Sequence, residues 1–540
     1  MRRIRRLAGI AVGLLVAVTV AGGCGSGTAQ ANNTFSAYLC EPKHLIPGNT
    51  QEACGLQVAT ALFTGLISYD PRTSEPREAM AKSITSDDNR VWTIELERGW
   101  TFHNGEPVTA RSYVRAWNYA AYGPHGWVHN RMFSLIEGYG ELNPTDPDGP
   151  KGPKKPPKPT AHKLSGLEVT GKHTFRVTLS EPASQFPVRL GHPAFYPLPE
   201  VAYEDFDAYG REPIGNGPFR MAAPWEHGQR IELVRYEEYG GPNAKAAGVT
   251  FKIYSSVTTA YNDLLAGDLD VMQQLPFSKM SDARQRFGER YIEAPSSALT
   301  YLALPLYEDA YAAPELRRAL SMAINRRAVI RATAGGGYTP AHSLISPIVP
   351  GHRPNACGED CRYNPRKARQ LFEEAGALQD GTLTLWFHAG VGHDGSMKAI
   401  ANQLRQTLGI NKVELRSQPF ARYIGAVRSQ QVTGPFRMAW VMGYPSAQNY
   451  LEPLFHSQGS ANLQGYSNPE VDKLIEKGNS APSQQQALRY YHRAEDIILH
   501  DMPVIPLWFS EIHGAHSEQV SNVTIDPRGH VRVAQVQVTG

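Results

Sequence analysis

Two short stretches place side chains at spacings that chemistry could use. GLEVTGKH, residues 166–173, approaches a glycine-rich phosphate loop, but His173 stands where a Ser or Thr would hold Mg²⁺. The stretch also lies between two alternating segments rather than between a strand and a helix, so a hairpin turn at Gly171 and Lys172 is expected. HGWVH sets His125 and His129 at the helical spacing of a two-histidine zinc site, yet Gly126 interrupts it and the general-base Glu is missing. Loop or surface histidines are expected there. No Gly-x-Ser-x-Gly elbow occurs, and no Ser, His and acidic residue fall into a recognisable catalytic order. The reading assigns no catalytic residue, no metal ligand and no cofactor. What remains is AWVMGYPSAQNYLEPLF, residues 439–455, rich in aromatic and Met side chains and uncharged until Glu452. Composition allows either a core strand and loop or the wall of a ligand site.

The elements around it mix helices and strands without a fixed repeat. NPRKARQLFEEAG, residues 364–376, offers Asn364 as cap, Pro365 at the first helical position and Gly376 as stop; residues 467–478 repeat the device with Asn468, Pro469 and Gly478. Residues 314–337 carry Leu316, Leu320, Ala323 and Ile324 on one helical stripe before a Gly stop. VWTIELERGWTFHNG, KHTFRVTLS and GTLTLWFHAG alternate as strands. The mixture indicates α/β or α+β lobes, and a mature chain of more than 500 residues exceeds what one core supports, so two or more lobes are expected. The Pro-, Gly- and Lys-rich residues 143–160 read as an extended surface loop inside a lobe.

Targeting is written at the start. MRRIRR is a cationic leader, and residues 7–20 form an apolar stretch of signal-peptide length that is too short to span a bilayer comfortably. AGGC then places small residues before Cys24, as in a bacterial lipobox, where cleavage leaves an acylated Cys; GSGTAQANN follows as a polar tether. Residues 1–23 are read as the lipoprotein signal peptide and 24–33 as the tether, with the protein extracytoplasmic and lipid-anchored to a bacterial cell membrane. Setting Cys24 aside leaves Cys40, Cys54, Cys357 and Cys361. In an exported chain these read as two disulfides, and short separations favour Cys40 with Cys54 and Cys357 with Cys361, although three pairings are formally open. Without Arg2, Arg3, Arg5 and Arg6 the formal charge of +3 falls to about −1, which offers no basic field for nucleic acid.

Residues 62–119, with a Gly-Leu, a Tyr-Asp-Pro, a Trp-bearing strand and a Phe-His-Asn-Gly turn, resemble the opening signature of the extracellular solute-binding proteins of oligopeptide and dipeptide ABC importers. EPKHLIP (41–47), IGNGPFRM (214–221), ALSMAINRRAVI (319–330), AWVMGYPSAQNYLEPLF, YSNPEVDKLI (466–475) and MPVIPLWF (502–509) agree with that family in order, so the resemblance covers essentially the whole mature chain. It implies a two-lobe clamp of the large peptide-binding type. Lobe I would comprise 34–80, 195–295 and 508–540, with an extra subdomain at 81–194, and lobe II would comprise 296–507. The implied protein is no enzyme. It is a monomer that captures a peptide or other small solute and delivers it to ABC permease and ATPase subunits. The resemblance places Glu41, Pro42 and Lys43 of lobe I, and Arg437, Ala439, Trp440, Val441, Met442, Gly443, Tyr444 and Asn449 of lobe II, against the ligand.

In peptide-binding relatives a Trp-x-x-Asp-Tyr pattern grips the ligand's α-ammonium; here Gly443 replaces that Asp. A desolvated ammonium without a carboxylate is costly. Either Glu41 supplies the charge, or the ligand lacks an ammonium, as an N-blocked peptide, oligosaccharide, metallophore or metal complex would. Arg437 argues for an anionic group on the ligand. A peptide-signal receptor on the same fold is the other function considered, and a hydrolase the third.

Overall fold

The computed structural model describes residues 33–144, 157–333, 337–376, 378, 381–389 and 392–539. The leader, Cys24, nearly all of the tether and the middle of the Pro- and Lys-rich loop lie outside the described residues.

One mixed sheet runs through the molecule. Its strands follow the order Lys412–Gln418, Thr382–His388, Phe436–Trp440, Tyr291–Ala303, Val504–His516, Val271–Met272, Thr34–Leu39, Gly248–Ile253, Arg230–Arg235 and Phe219–Met221. The two long central strands pair antiparallel along their length, but the register breaks between Pro295↔Glu511 and Leu299↔Phe509, so Ser296, Ser297 and Ala298 face a single residue. A bulge of this kind bends the ladder. The carbonyl of Pro527 holds it, accepting from the backbone N–H of Ser297 at 2.8 Å and from Ser296 Oγ at 3.3 Å.

Two large cores lie on either side of that bend. The first gathers Phe35, Leu62, Trp117, Phe175, Phe195 and Phe251 with C-terminal residues such as Ile525 and Val533; the second gathers Leu302, Leu320, Phe387, Phe455, Tyr491 and Leu507. A separate four-stranded antiparallel sheet, ordered Ala81–Thr85, Val91–Leu96, Thr174–Thr178 and Leu167–Gly171, packs on helix Ala110–Ala121 through Tyr113, Trp117 and Phe175. The near-phosphate-loop stretch lies in this sheet as a hairpin, with Gly171 opposite Thr174.

Local signals set several helix ends. Asn364 Oδ1 caps helix Pro365–Glu374 by accepting from Lys367 N–H at 3.1 Å, and Gly376 follows with φ +80°. Helix Pro469–Asn479 likewise starts from the Asn468 cap. Two sequence expectations need correction. Gly478 is no stop but lies inside its helix, where a Cβ would come within 2.3 Å of the Tyr491 ring. The stripe from residue 314 is two helices, Pro314–Met322 and Arg326–Thr333. At the start of the second, Arg326 turns inward, and its guanidinium donates to the carbonyls of Pro506 (2.6 Å), Cys361 (2.9 Å) and Ser321 (3.2 Å). His129 is a loop residue, as expected, half-buried with Nε2 2.7 Å from the Thr50 carbonyl.

Of the three open pairings, the structure has Cys40 bonded to Cys54 and Cys357 to Cys361. The first ties strand Thr34–Leu39 to helix Ala53–Leu62; the second closes the loop whose Cys361 carbonyl receives Arg326.

Candidate functional site

Strand Phe436–Trp440 pairs antiparallel with the end of Tyr291–Ala303, setting Arg437 opposite Leu302 and Ala439 opposite Thr300. Arg437 is 9% exposed. Its Nη2 reaches only Thr300 Oγ1, at 3.4 Å, its Nε has no partner, and no carboxylate lies within 4 Å among the described residues. Burial lowers its pKa to about 10, opposed by the phenols of Tyr338, Tyr423 and Tyr301. Tyr423 fixes the strand from behind, its hydroxyl donating to the Arg437 carbonyl at 2.7 Å.

Beside this cation stand His388 and His393, with Nε2 atoms 3.2 Å apart. Burial, and secondly Arg437, lowers them to about 4 and about 3. Both are therefore neutral near pH 7, one donating to the other. Trp440 Nε1, Trp386 Nε1 and Gln418 Oε1 are buried without partners in the same region, where Gln418 pairs in register with His388 and Trp386 with Phe436. Phe420, 57% exposed, meets His388 edge-on at 5.3 Å. A buried guanidinium without a carboxylate can seat an anion.

Along the segment that follows, Ala439 and Val441 are exposed and Trp440 is half-buried, whereas Met442 and Tyr444 are buried. Met442 N–H faces Ser297 Oγ of the bulge at 3.4 Å, and Gly443 N–H donates to Asn449 Oδ1 at 2.8 Å, so Asn449 positions the backbone. Tyr444 belongs to the first core, with the Arg189 guanidinium 5.5 Å from its ring centroid. Gly443 lies against His192, which is buried and held neutral by that burial.

Across the bend, Pro42 is buried while Glu41 and Lys43 are exposed. Both oxygens of Glu41 are engaged, by His227 Nδ1 at 2.9 Å and by the N–H of Gly228 at 2.8 Å. Lys43 N–H donates to Glu52 at 3.0 Å. Among the described residues no hydrogen bond or ion pair joins residues 41–43 to 437–449. The halves meet instead through Ser446 Oγ to Gln185 (3.4 Å), Asn89 to the Pro482 carbonyl (3.1 Å) and Arg131 to the Gln458 carbonyl (3.3 Å). Sequence reasoning missed His388, His393, Arg189 and His192, which come from distant segments and bear no motif.

A groove of about 800 Å³ lies elsewhere, lined by Glu106, Arg111, Arg115, Lys163, Lys172 and Glu200. Arg115 and Glu200 pair on its rim. It opens to solvent and lies away from the unpaired cations.

Arg437, an interior cation beside the bent pair of strands, is the candidate ligand-binding group. The sequence model for bacterial extracellular solute-binding proteins, family 5, middle region, matches residues 75–462, and the chain belongs to that family. It is 26% identical to the periplasmic oligopeptide-binding protein OppA of Salmonella typhimurium, covering 94% of each chain. It is 25% identical to the glutathione-binding protein GsiB of Escherichia coli K12, covering 89% of this chain and 90% of that one. Among solved structures, the murein tripeptide-binding protein MppA of Escherichia coli superposes with a TM-score of 0.80 at 22% identity, covering 94% and 98% of the two chains. Its relatives are substrate-binding proteins of ABC transporters, not enzymes.

Proposed function

We propose that this chain captures a peptide or peptide-like solute between two lobes and hands it to the permease of an ABC importer. Lobe I comprises 34–80, 195–295 and 508–540, with 81–194 as its extra subdomain; lobe II comprises 296–507. The observation that carries the reading is Arg437, a buried guanidinium without a carboxylate, on the strand that leads into the exposed Ala439 and Val441. A ligand carboxylate seated there would supply the missing countercharge, and the exposed strand backbone would pair with an extended peptide. Closure would then be a shift in population driven by contacts to both lobes. Relatives named for oligopeptides and glutathione support a ligand of this kind.

Native mass spectrometry of protein from its own producer would identify the bound solute, and calorimetry would follow its release from an Arg437→Met variant. We expect a carboxylate-bearing peptide and at least a tenfold loss of affinity. A neutral sugar, or unchanged affinity in the variant, would sink the reading. The lipid anchor rests on Cys24, and Cys24→Ala should release the protein from the membrane fraction; retention there with acylation would disprove it.

A further inference from the structure

A second buried guanidinium stands at the seam between the two cores. Arg189 is 5% exposed, its Nε and Nη1 have no partner, and Nη2 reaches only the Met132 carbonyl at 3.5 Å. It comes from the first core and faces Tyr444 of the 439–455 segment. No carboxylate lies within 4 Å of it among the described residues. Glu452, whose charge acts with that of Arg189 on the buried Tyr444 and Tyr491 phenols, forms no ion pair with it among the described residues, and neither do the other nearby groups. His129 and His192 meet edge to face at 4.6 Å, and burial lowers both, so they are neutral at pH 7. Asp526, the carboxylate of the adjoining wall, is taken by Arg528 at 3.1 Å and Arg532 at 3.7 Å. Arg437 and Arg189 therefore bracket the Ala439–Gly443 backbone, one at each end, each a buried cation with donors to spare.

We infer that the cleft takes an extended solute carrying an anion at both ends and no free ammonium. An uncompensated buried guanidinium is strongly unfavourable, and a ligand entering the seam can supply acceptors to both. One anion meets Arg437 as in the proposed function, on which this inference rests. The other meets Arg189, beside Gly443, where a cationic terminus would be repelled.

Titration calorimetry on the mature protein with three probes tests this: Ala-Ala-Ala, acetyl-Ala-Ala-Ala and succinyl-Ala-Ala-Ala, which carry at the N-terminal end a cation, no charge and an anion. The succinyl peptide should bind at least tenfold tighter than the acetyl peptide, with the free amine weakest. Arg189→Met should bring succinyl and acetyl to equal affinity, and Arg189→Lys should keep part of the preference. If Arg189→Met fails to fold, the wild-type ranking and Arg189→Lys still decide. Equal binding of succinyl and acetyl peptides overturns the inference while leaving the single-anion reading intact, and so does a preference that survives Arg189→Met, or a free amine that binds best. A loss of both peptides alike in Arg189→Met would make Arg189 a latch between lobes, not a ligand group. Failure of all three probes to bind overturns the peptide reading and this inference with it.

Discussion

Gly443 packs against His192 so closely that a Cβ on it would lie 2.9 Å from the imidazole Cδ2 and 3.2 Å from Nε2. The sequence alone suggests Gly443→Asp as a simple restoration of a missing carboxylate. The contact rules that out, because any side chain at 443 must first displace a buried ring from the other core. We expect Gly443→Ala to cost about 1–3 kcal/mol by overpacking. Part of that cost should vanish in a His192→Ala background, giving a coupling of roughly 0.5–3 kcal/mol in a double-mutant cycle read by urea denaturation. Strict additivity would mean that the two residues do not touch in solution.

The second core holds an ion pair whose removal should be severe. Glu495 is fully buried, its Oε2 accepting from Arg353 Nη2 at 2.7 Å and Nε at 3.1 Å, and its Oε1 from Leu344 N–H at 2.9 Å. Arg353→Ala strands that carboxylate, and we expect a loss of about 3–5 kcal/mol. Glu495→Gln keeps an acceptor for Leu344 and no longer buries a charge, so it should cost clearly less. Denaturation midpoints of the two variants, ranked the other way, would contradict this account.

His388 and His393 should make stability depend on pH. In the unfolded chain an imidazole ionises near 6.5. In the fold the pair is lowered to about 4 and about 3, by burial and then by Arg437. The unfolded state therefore takes up protons first as pH falls. Their contribution is complete above pH 6.5 and drains away as pH drops through about 4. Urea midpoints of the wild type and a His388→Phe/His393→Gln variant, measured from pH 7.5 to 4.5, should converge toward the acid end. A constant difference across that range would show that the pair does not titrate as described.

The sequence made the family frame, the helix caps at Asn364 and Asn468, and the hairpin at Gly171 legible, because caps and turns are decided by a few neighbouring residues. It could not show that Gly478 sits under Tyr491, or that Arg326 turns inward to bind the carbonyls of Pro506 and Cys361, because both depend on segments distant in the chain. The site divides in the same way. Arg437 and the 439–449 segment lie in one motif, whereas His388, His393, Arg189 and His192 reach it only through packing between strands and cores.

The two disulfides should differ in what they contribute. In the chain-entropy account a cross-link stabilises by restricting the unfolded chain, and more so for longer loops; the sequence separations are 14 and 4. That gives about 3 kcal/mol for Cys40–Cys54 and about 2 kcal/mol for Cys357–Cys361. Replacing both cysteines of a pair by Ser tests this without leaving a free thiol. The shorter loop has a second role, since its Cys361 carbonyl accepts from Arg326 Nη1 at 2.9 Å while Arg326 Nε binds Pro506 of a central strand at 2.6 Å. If the clip holds that carbonyl in place, Cys357→Ser/Cys361→Ser should cost more than loop closure predicts, and the excess should shrink in an Arg326→Met background. A loss near 2 kcal/mol in both backgrounds would confine the clip to chain entropy.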